Sequence, residues 1–268
     1  NKGRKWHISQ EADLPRWKTR IRAARLNCLT DLNPSNVKGI TVTHPNTTCP
    51  VQKNQYMNVE KPLNNPKTHT QLAICSKIAF HELNASHLLE WIEVHRLLGA
   101  DLIVSYTYNL NEKALAVLKY YEKIGFVKLL SFDLPEKDID LLLRTIPLFD
   151  CQNRLAGYKY YALLDTDEFL IPNTSDFKNA IKTYMTDIIV LLQDKQLTKL
   201  PKLAGFHFQT KIHALNWKES DSSSPLMIKR FSNSTPAFAD RVKKLYFPNR
   251  VIVDRMLTHS LHAKPGFV

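Results

Sequence analysis

Two aspartates with one residue between them, Asp165 and Asp167, close the apolar run Tyr160-Tyr161-Ala162-Leu163-Leu164 and are followed by Glu168-Phe169-Leu170. On an extended backbone side chains alternate, so an i, i+2 spacing puts both carboxylates on one side of the chain. In an open parallel sheet the carboxyl ends of the strands face the ligand crevice. Two carboxylates there suit a hard divalent cation such as Mn²⁺ or Mg²⁺. Such an ion bridges a diphosphate and neutralises charge on a departing nucleotide. Two other readings compete. An acidic loop capping the next helix needs no ligand at all. An aspartyl phosphotransferase also carries D-x-D after an apolar strand, but early in its domain and with Thr or Val next. Here Glu168 follows.

The elements that must position this motif alternate. A strand is expected over 72–80. A helix capped by Asn84 or Ser86 then runs to about Leu98, with Leu88, Leu89, Trp91, Ile92, His95 and Leu98 on one face and Gly99 as its stop. Strand 101–106, helix 112–124 closed by Gly125, strand 126–132, a helix within 138–155 and strand 160–164 follow, then a long helix over 175–193. Three strand–helix units before the motif mean an α/β domain, a Rossmann-type, mostly parallel sheet flanked by helices. Beyond Lys202 strands are expected near 203–209, 227–231 and 251–253. Residues 1–70 are rich in Pro, Asn, Thr and Lys, and Pro34, Pro45, Pro50, Pro62 and Pro66 interrupt any period. They are expected to form an irregular N-terminal stem, with the α/β domain at 71–268.

Composition narrows the class. The 268 residues are 44% hydrophobic and 23% charged, which excludes a disordered or fibrous chain. No apolar run reaches the ~18 residues of a membrane span. The sequence begins at Asn1, so it reads as a piece of a longer precursor whose N-terminal anchor has been removed. The net charge of +12 permits nucleic acid, anionic membranes or phosphate-bearing small molecules as partners. The basic residues are scattered and no nucleic-acid-binding signature accompanies them, so nucleic acid is not expected. The four cysteines, Cys28, Cys49, Cys75 and Cys151, make no CxxC pair, which argues against zinc. They allow two disulfides in three connectivities. Sequons at Asn46, Asn84, Asn173 and Asn233 add support for the secretory pathway.

Several co-ordered blocks resemble glycosyltransferase family 92. They are His81-Glu82-Leu83, Leu89-Glu90-Trp91-Ile92-Glu93-Val94-His95 with Leu98-Gly99, Tyr106-Thr107-Tyr108-Asn109, and Asp150-Cys151 with Arg154. After them come the motif strand running on to Ile171-Pro172, then Trp217, Lys229-Arg230-Phe231 and the tail from Val251 to His259. The sequence departs from the family pattern at His81, where Asn is usual. It departs again at residues 218–224, which lack the usual glycines.

The resemblance implies a GT-A-like fold, a UDP-sugar donor (UDP-galactose above all), Mn²⁺ and inversion at the anomeric carbon. Asp165 and Asp167 would hold the metal and diphosphate, with His259 as a further ligand. Glu82 and Asn109, at strand ends, would contact uracil or ribose, and Arg154 would face the diphosphate or pair with Asp150. An inverting transfer needs a base for the acceptor hydroxyl. Glu219 and Asp221, in the polar loop after Trp217, are the candidates, with Glu168 as another. Trp217 would stack on a sugar face or plug the core, while Trp91 and His95 belong to the core. The full-length protein is then expected in the Golgi lumen as a type II membrane glycoprotein acting on a glycan acceptor. The alternative is a non-catalytic glycan- or nucleotide-binding protein on the same scaffold.

Overall fold

The computed structural model describes residues 7–8, 26–27, 33, 36–44, 46–63, 71–133, 145–171, 202–252 and 262–268. The elements that build the main sheet are β1 (Leu72–His81), α1 (Ala85–Leu97), β2 (Leu102–Leu110), α2 (Glu112–Lys123), β3 (Val127–Ser131), α3 (Thr145–Arg154), β4 (Tyr160–Leu163), β5 (Gly205–Thr210), the single turn α4 (Met227–Arg230) and β6 (Phe238–Tyr246). The six strands run in the order β3-β2-β1-β4-β6-β5. β3, β2, β1 and β4 are parallel, and β6 is antiparallel to both of its neighbours, β4 and β5. This is the α/β, mostly parallel sheet expected from the sequence. Within the N-terminal 70 residues the described strands are two-residue pairs, His7–Ile8 with Leu26–Asn27 and Gly39–Ile40 with Met57–Asn58.

Both faces of the sheet are covered, which is why β1 and β4 read as continuous apolar runs. Leu72, Ile74, Tyr160 and Ala162 pack with Leu88, Trp91 and Ile92 of α1 and Leu118 and Tyr121 of α2. Ala73, Cys75, Tyr161 and Leu163 point the other way, against Leu148, Cys151 and Leu155. Cys75 and Cys151 form a disulfide from the middle of β1 to α3. Cys49 is exposed and free. α1 begins where Asn84 Oδ1 accepts from the Ser86 and His87 amides. It ends at Gly99, whose φ of +92° is left-handed.

Two expectations fail. Residues 227–231 form a helical turn, not a strand, because the Met227 and Ile228 amides donate to the buried Glu90 carboxylate at 2.8 and 3.0 Å, a capping arrangement. Of the strand expected at 251–253, the described residues Val251 and Ile252 carry only an isolated bridge, Val251 to Ala263, and Val253 lies outside the described residues. In contrast, the nine-residue β6 occupies a stretch where the sequence predicts no strand. The helix expected over 175–193 and the sequon Asn173 lie outside the described residues, as does His259.

Candidate active site

Strand order locates the crevice. From β1 the chain steps through β2 to β3 on one side, and β4 lies on the other, so the order reverses between β1 and β4. In open α/β sheets ligands bind beyond the carboxyl ends of the strands at such a switch point. Asp165-Thr166-Asp167-Glu168 leaves β4 at that point.

The backbone there is not extended. The Glu168 amide donates to the Asp165 carbonyl at 3.0 Å, and Glu168 Oε2 accepts from the Asp165 amide at 2.8 Å. A reciprocally bonded turn therefore replaces the expected alternation, and the two aspartates do not share a strand face. Asp165 turns to its neighbours: Lys77 Nζ lies 2.8 Å from Oδ2 and 2.7 Å from Oδ1. Lys243 Nζ stands 3.7 Å from Asp165 Oδ2 and 2.6 Å from Glu168 Oε1. Asp167, in the middle of the turn, is exposed. Glu168 is thus a turn-closing, ion-paired carboxylate.

The two lysines were not foreseen. Lys77 arises from a β-bulge. Cys75 pairs with Val104 and Ile78 with Tyr106, so β1 carries one residue more than β2. The extra residue reverses the alternation: Cys75 and Ile78 face the α3 side, whereas Ile74 and Ala79 face the α1 side. Lys77 itself has a left-handed φ of +56°. The signal in the sequence was a lone lysine inside the apolar stretch Leu72-Ala73-Ile74-Cys75-Ser76-Lys77-Ile78-Ala79-Phe80. Lys243 precedes Leu245, which pairs with Ala162, so the antiparallel register brings Lys243 level with Leu164 at the exit of β4.

Helix α1 fixes the turn from beneath. Trp91 Nε1 donates to the Glu168 carbonyl at 2.7 Å, and the His95 ring stacks on Phe169 at 5.9 Å with an interplanar angle of 5°. His95 is buried, and burial pushes its pKa down to about 4. It is a neutral core residue near pH 7, as expected, with Nδ1 at 2.8 Å from the Trp91 carbonyl. Trp91 is core as well, but its indole N–H also serves the site.

The remaining candidates are dispersed. Glu82 follows β1 and is exposed, and Asn109 is exposed at a second bulge near the end of β2, with φ of +46°. Because β4 leaves the sheet beside Cys75, Glu82 lies roughly 15 Å farther along the strand direction than Asp165, at about 3.3 Å per residue. Arg154 pairs with Asp150 at 2.6 Å and with Glu60. Tyr106 donates to the same Asp150 oxygen at 2.7 Å, and the Leu63 amide donates to the Arg154 carbonyl. Of the two roles expected for Arg154, the pairing with Asp150 is the one observed; its contacts with Glu60 and the Leu63 amide tie the N-terminal segment to α3. Glu219 forms an ion pair with Arg230 at 3.3 Å. Asp221 Oδ1 accepts from the Ser223 hydroxyl at 2.6 Å and the Ser223 amide at 3.1 Å. The Ser223 hydroxyl bond holds the Asp221 pKa below the ordinary carboxylate value, which weakens it as a base. Trp217 is exposed. Among the described residues no group of three or more His, Cys, Asp and Glu side chains converges to hold a metal ion. Among them also no helix is long and apolar enough to cross a membrane.

Comparison with known proteins gives one decisive match. A search of curated proteins finds no match. Among solved structures, that of a 4-diphosphocytidyl-2C-methyl-D-erythritol synthase is similar at 11% identity over 66% of this chain and 73% of the other, with a TM-score of 0.30. That likeness is too loose to support a conclusion. The model of glycosyltransferase family 92, by contrast, matches residues 70–266. With all of the main sheet inside that match, the chain belongs to glycosyltransferase family 92.

Proposed function

We propose that this glycosyltransferase moves a hexose, galactose by the family resemblance, from a UDP-sugar to a glycan hydroxyl with inversion and with the help of Mn²⁺ or Mg²⁺. The observation that carries this reading is the acidic turn at the β1/β4 switch point. Carboxylate oxygens are the donors such cations take, and Asp167 offers an exposed one beside Asp165. These two, with His259, would hold the ion, which when bound neutralises charge on the leaving diphosphate. Lys77 and Lys243 add positive charge on the same side. A nucleotide laid along the rim, diphosphate at the turn, would carry its base toward Asn109 and Glu82. The 211–237 excursion, with exposed Trp217, supplies the acceptor side, and Glu219 or Asp221 would take the hydroxyl proton after releasing its present partner. The Cys75–Cys151 disulfide supports an oxidising compartment such as the Golgi lumen.

The test is release of UDP from a panel of UDP-sugars with Mn²⁺. Asp167→Asn is expected to lower kcat about 100-fold or more, as loss of a charge-stabilising group does, with unchanged thermal melting. Full activity in that variant, or in excess chelator, refutes the metal role.

One observation favours a second reading, a non-catalytic binding protein: both loop carboxylates are engaged, Glu219 by Arg230 and Asp221 by Ser223. UDP binding by calorimetry without hydrolysis or transfer from any donor would select it.

A further inference from the structure

We propose that Lys77 is an exchangeable counter-ion of Asp165, neutralising that carboxylate in the empty site and passing to the donor's diphosphate when a divalent ion takes Asp165. This rests on the reading of the turn as a metal and nucleotide-sugar site.

Three features converge on it. Lys77 occupies a sparsely populated backbone region, with φ of +56°, at the single extra residue of a bulge. Such strain persists where the surroundings over-determine it and clusters at functional sites. A bulge that only shifted the strand would be served by glycine, which meets no steric cost there. A lysine is accounted for by what its ammonium reaches, both oxygens of Asp165.

The pair is also open to exchange. The Lys77 side chain is 17% exposed and that of Asp165 41% exposed. Ion pairs in contact with water are weak, and lysine carries three donors on a flexible four-carbon stem. The neighbouring charges do not depend on the move. Lys243, buried beside Glu168 at 2.6 Å, keeps that carboxylate neutralised whether Lys77 stays or leaves. Asp167 is exposed two residues from Asp165 and gives an incoming cation a second carboxylate. A cation arriving at these oxygens therefore competes with the Lys77 ammonium, which once displaced sits next to the diphosphate the cation attracts.

Exchange and a fixed structural bridge give opposite signs. Mn²⁺ alone is titrated into the protein by electron paramagnetic resonance, and UDP is titrated in saturating Mn²⁺ by calorimetry, for the wild type, Lys77→Met and Lys77→Gln. Removing a competing surface-type ion pair should tighten Mn²⁺ binding about threefold. Losing a charge-assisted contact to phosphate should weaken UDP about tenfold. Lys77→Arg should stay near the wild type for both. The glutamine variant keeps the chain length should the methionine variant fold poorly. Mn²⁺ binding that is unchanged or weaker in both neutral variants overturns the exchange. If the wild type then still turns over a UDP-sugar with Mn²⁺, only the exchange has failed. If it binds no Mn²⁺ at all, the exchange and the metal reading fall together.

Discussion

Breaking the Cys75–Cys151 disulfide should cost a large share of this domain's stability. The bond closes a loop with a sequence separation of 76, and the chain-entropy relation for a loop of that length gives about 4.5 kcal/mol. Strain and residual structure in the unfolded chain reduce such figures, so about 2–4.5 kcal/mol is expected. For a domain of this size that is about 5–15 °C in Tm. Both cysteines are fully buried, so Cys75→Ala/Cys151→Ala also deletes two packed sulfurs, and reduction of the wild type separates the two effects. The experiment is urea and thermal unfolding in a Cys49→Ser background, which removes the exposed thiol, with and without reductant. The oxidised protein should melt highest. Reductant should lower it toward the double variant and leave that variant unchanged. The urea m-value should rise as the unfolded chain loses its tether. A Tm that moves by less than about 2 °C on reduction and in the double variant would refute the cross-link's role in stability.

Two further outcomes follow from buried groups on α1. The His95 pKa is pushed from 6.5 to about 4 by burial, so the unfolded chain binds that proton first. Its contribution is complete above pH 6.5 and is lost as pH falls toward 4, a change of about 3 kcal/mol in unfolding free energy. Urea unfolding at pH 7 and pH 4.5 should show this loss in the wild type and a smaller one in His95→Asn; equal losses would dismiss it. Glu90 accepts from both the Met227 and Ile228 amides, so Glu90→Gln should cost about 1–2 kcal/mol by weakening charge-assisted bonds. Hydrogen exchange at those two amides should accelerate, and unchanged protection there would show that the carboxylate does not hold the α4 turn.

What was legible in the sequence was what short-range chemistry determines. The apolar runs of β1, β2 and β4, the Asn84 cap and the glycine stop at Gly99 each act within a few residues, and each fell within a residue or a few of its expected place. β6 was missed because its sequence Phe238-Ala-Asp-Arg-Val-Lys-Lys-Leu-Tyr246 reads as basic and polar. Its strand form comes from pairing with β4 and β5, and tertiary context decides strand formation more than propensity does. The turn at 227–230 was misread because its apolar residues suggest a strand, while its conformation depends on a glutamate 137 residues away in sequence. The aspartates were found, but their geometry was not. The i, i+2 rule assumes an extended chain, and Glu168 folds the backbone back by bonding the Asp165 amide.

Helix α1 explains why the site is built on a fixed base rather than on loops alone. Three of its residues reach three different parts of the site. Glu90 holds the α4 turn within the 211–237 excursion, Trp91 holds the Glu168 carbonyl, and His95 stacks on Phe169. Trp91 and His95 lie four residues apart and so share a face, while Glu90 is rotated about 100° from Trp91 at 3.6 residues per turn. One helix can therefore serve the acidic turn with one face and the 211–237 excursion with the next. Its own position is set by Leu88, Trp91 and Ile92 packed on β1 and β4. Under the proposed function, the donor and acceptor sides would thus be referred to the same rigid element, which favours a transfer between them because a small misplacement of reacting groups is costly in rate.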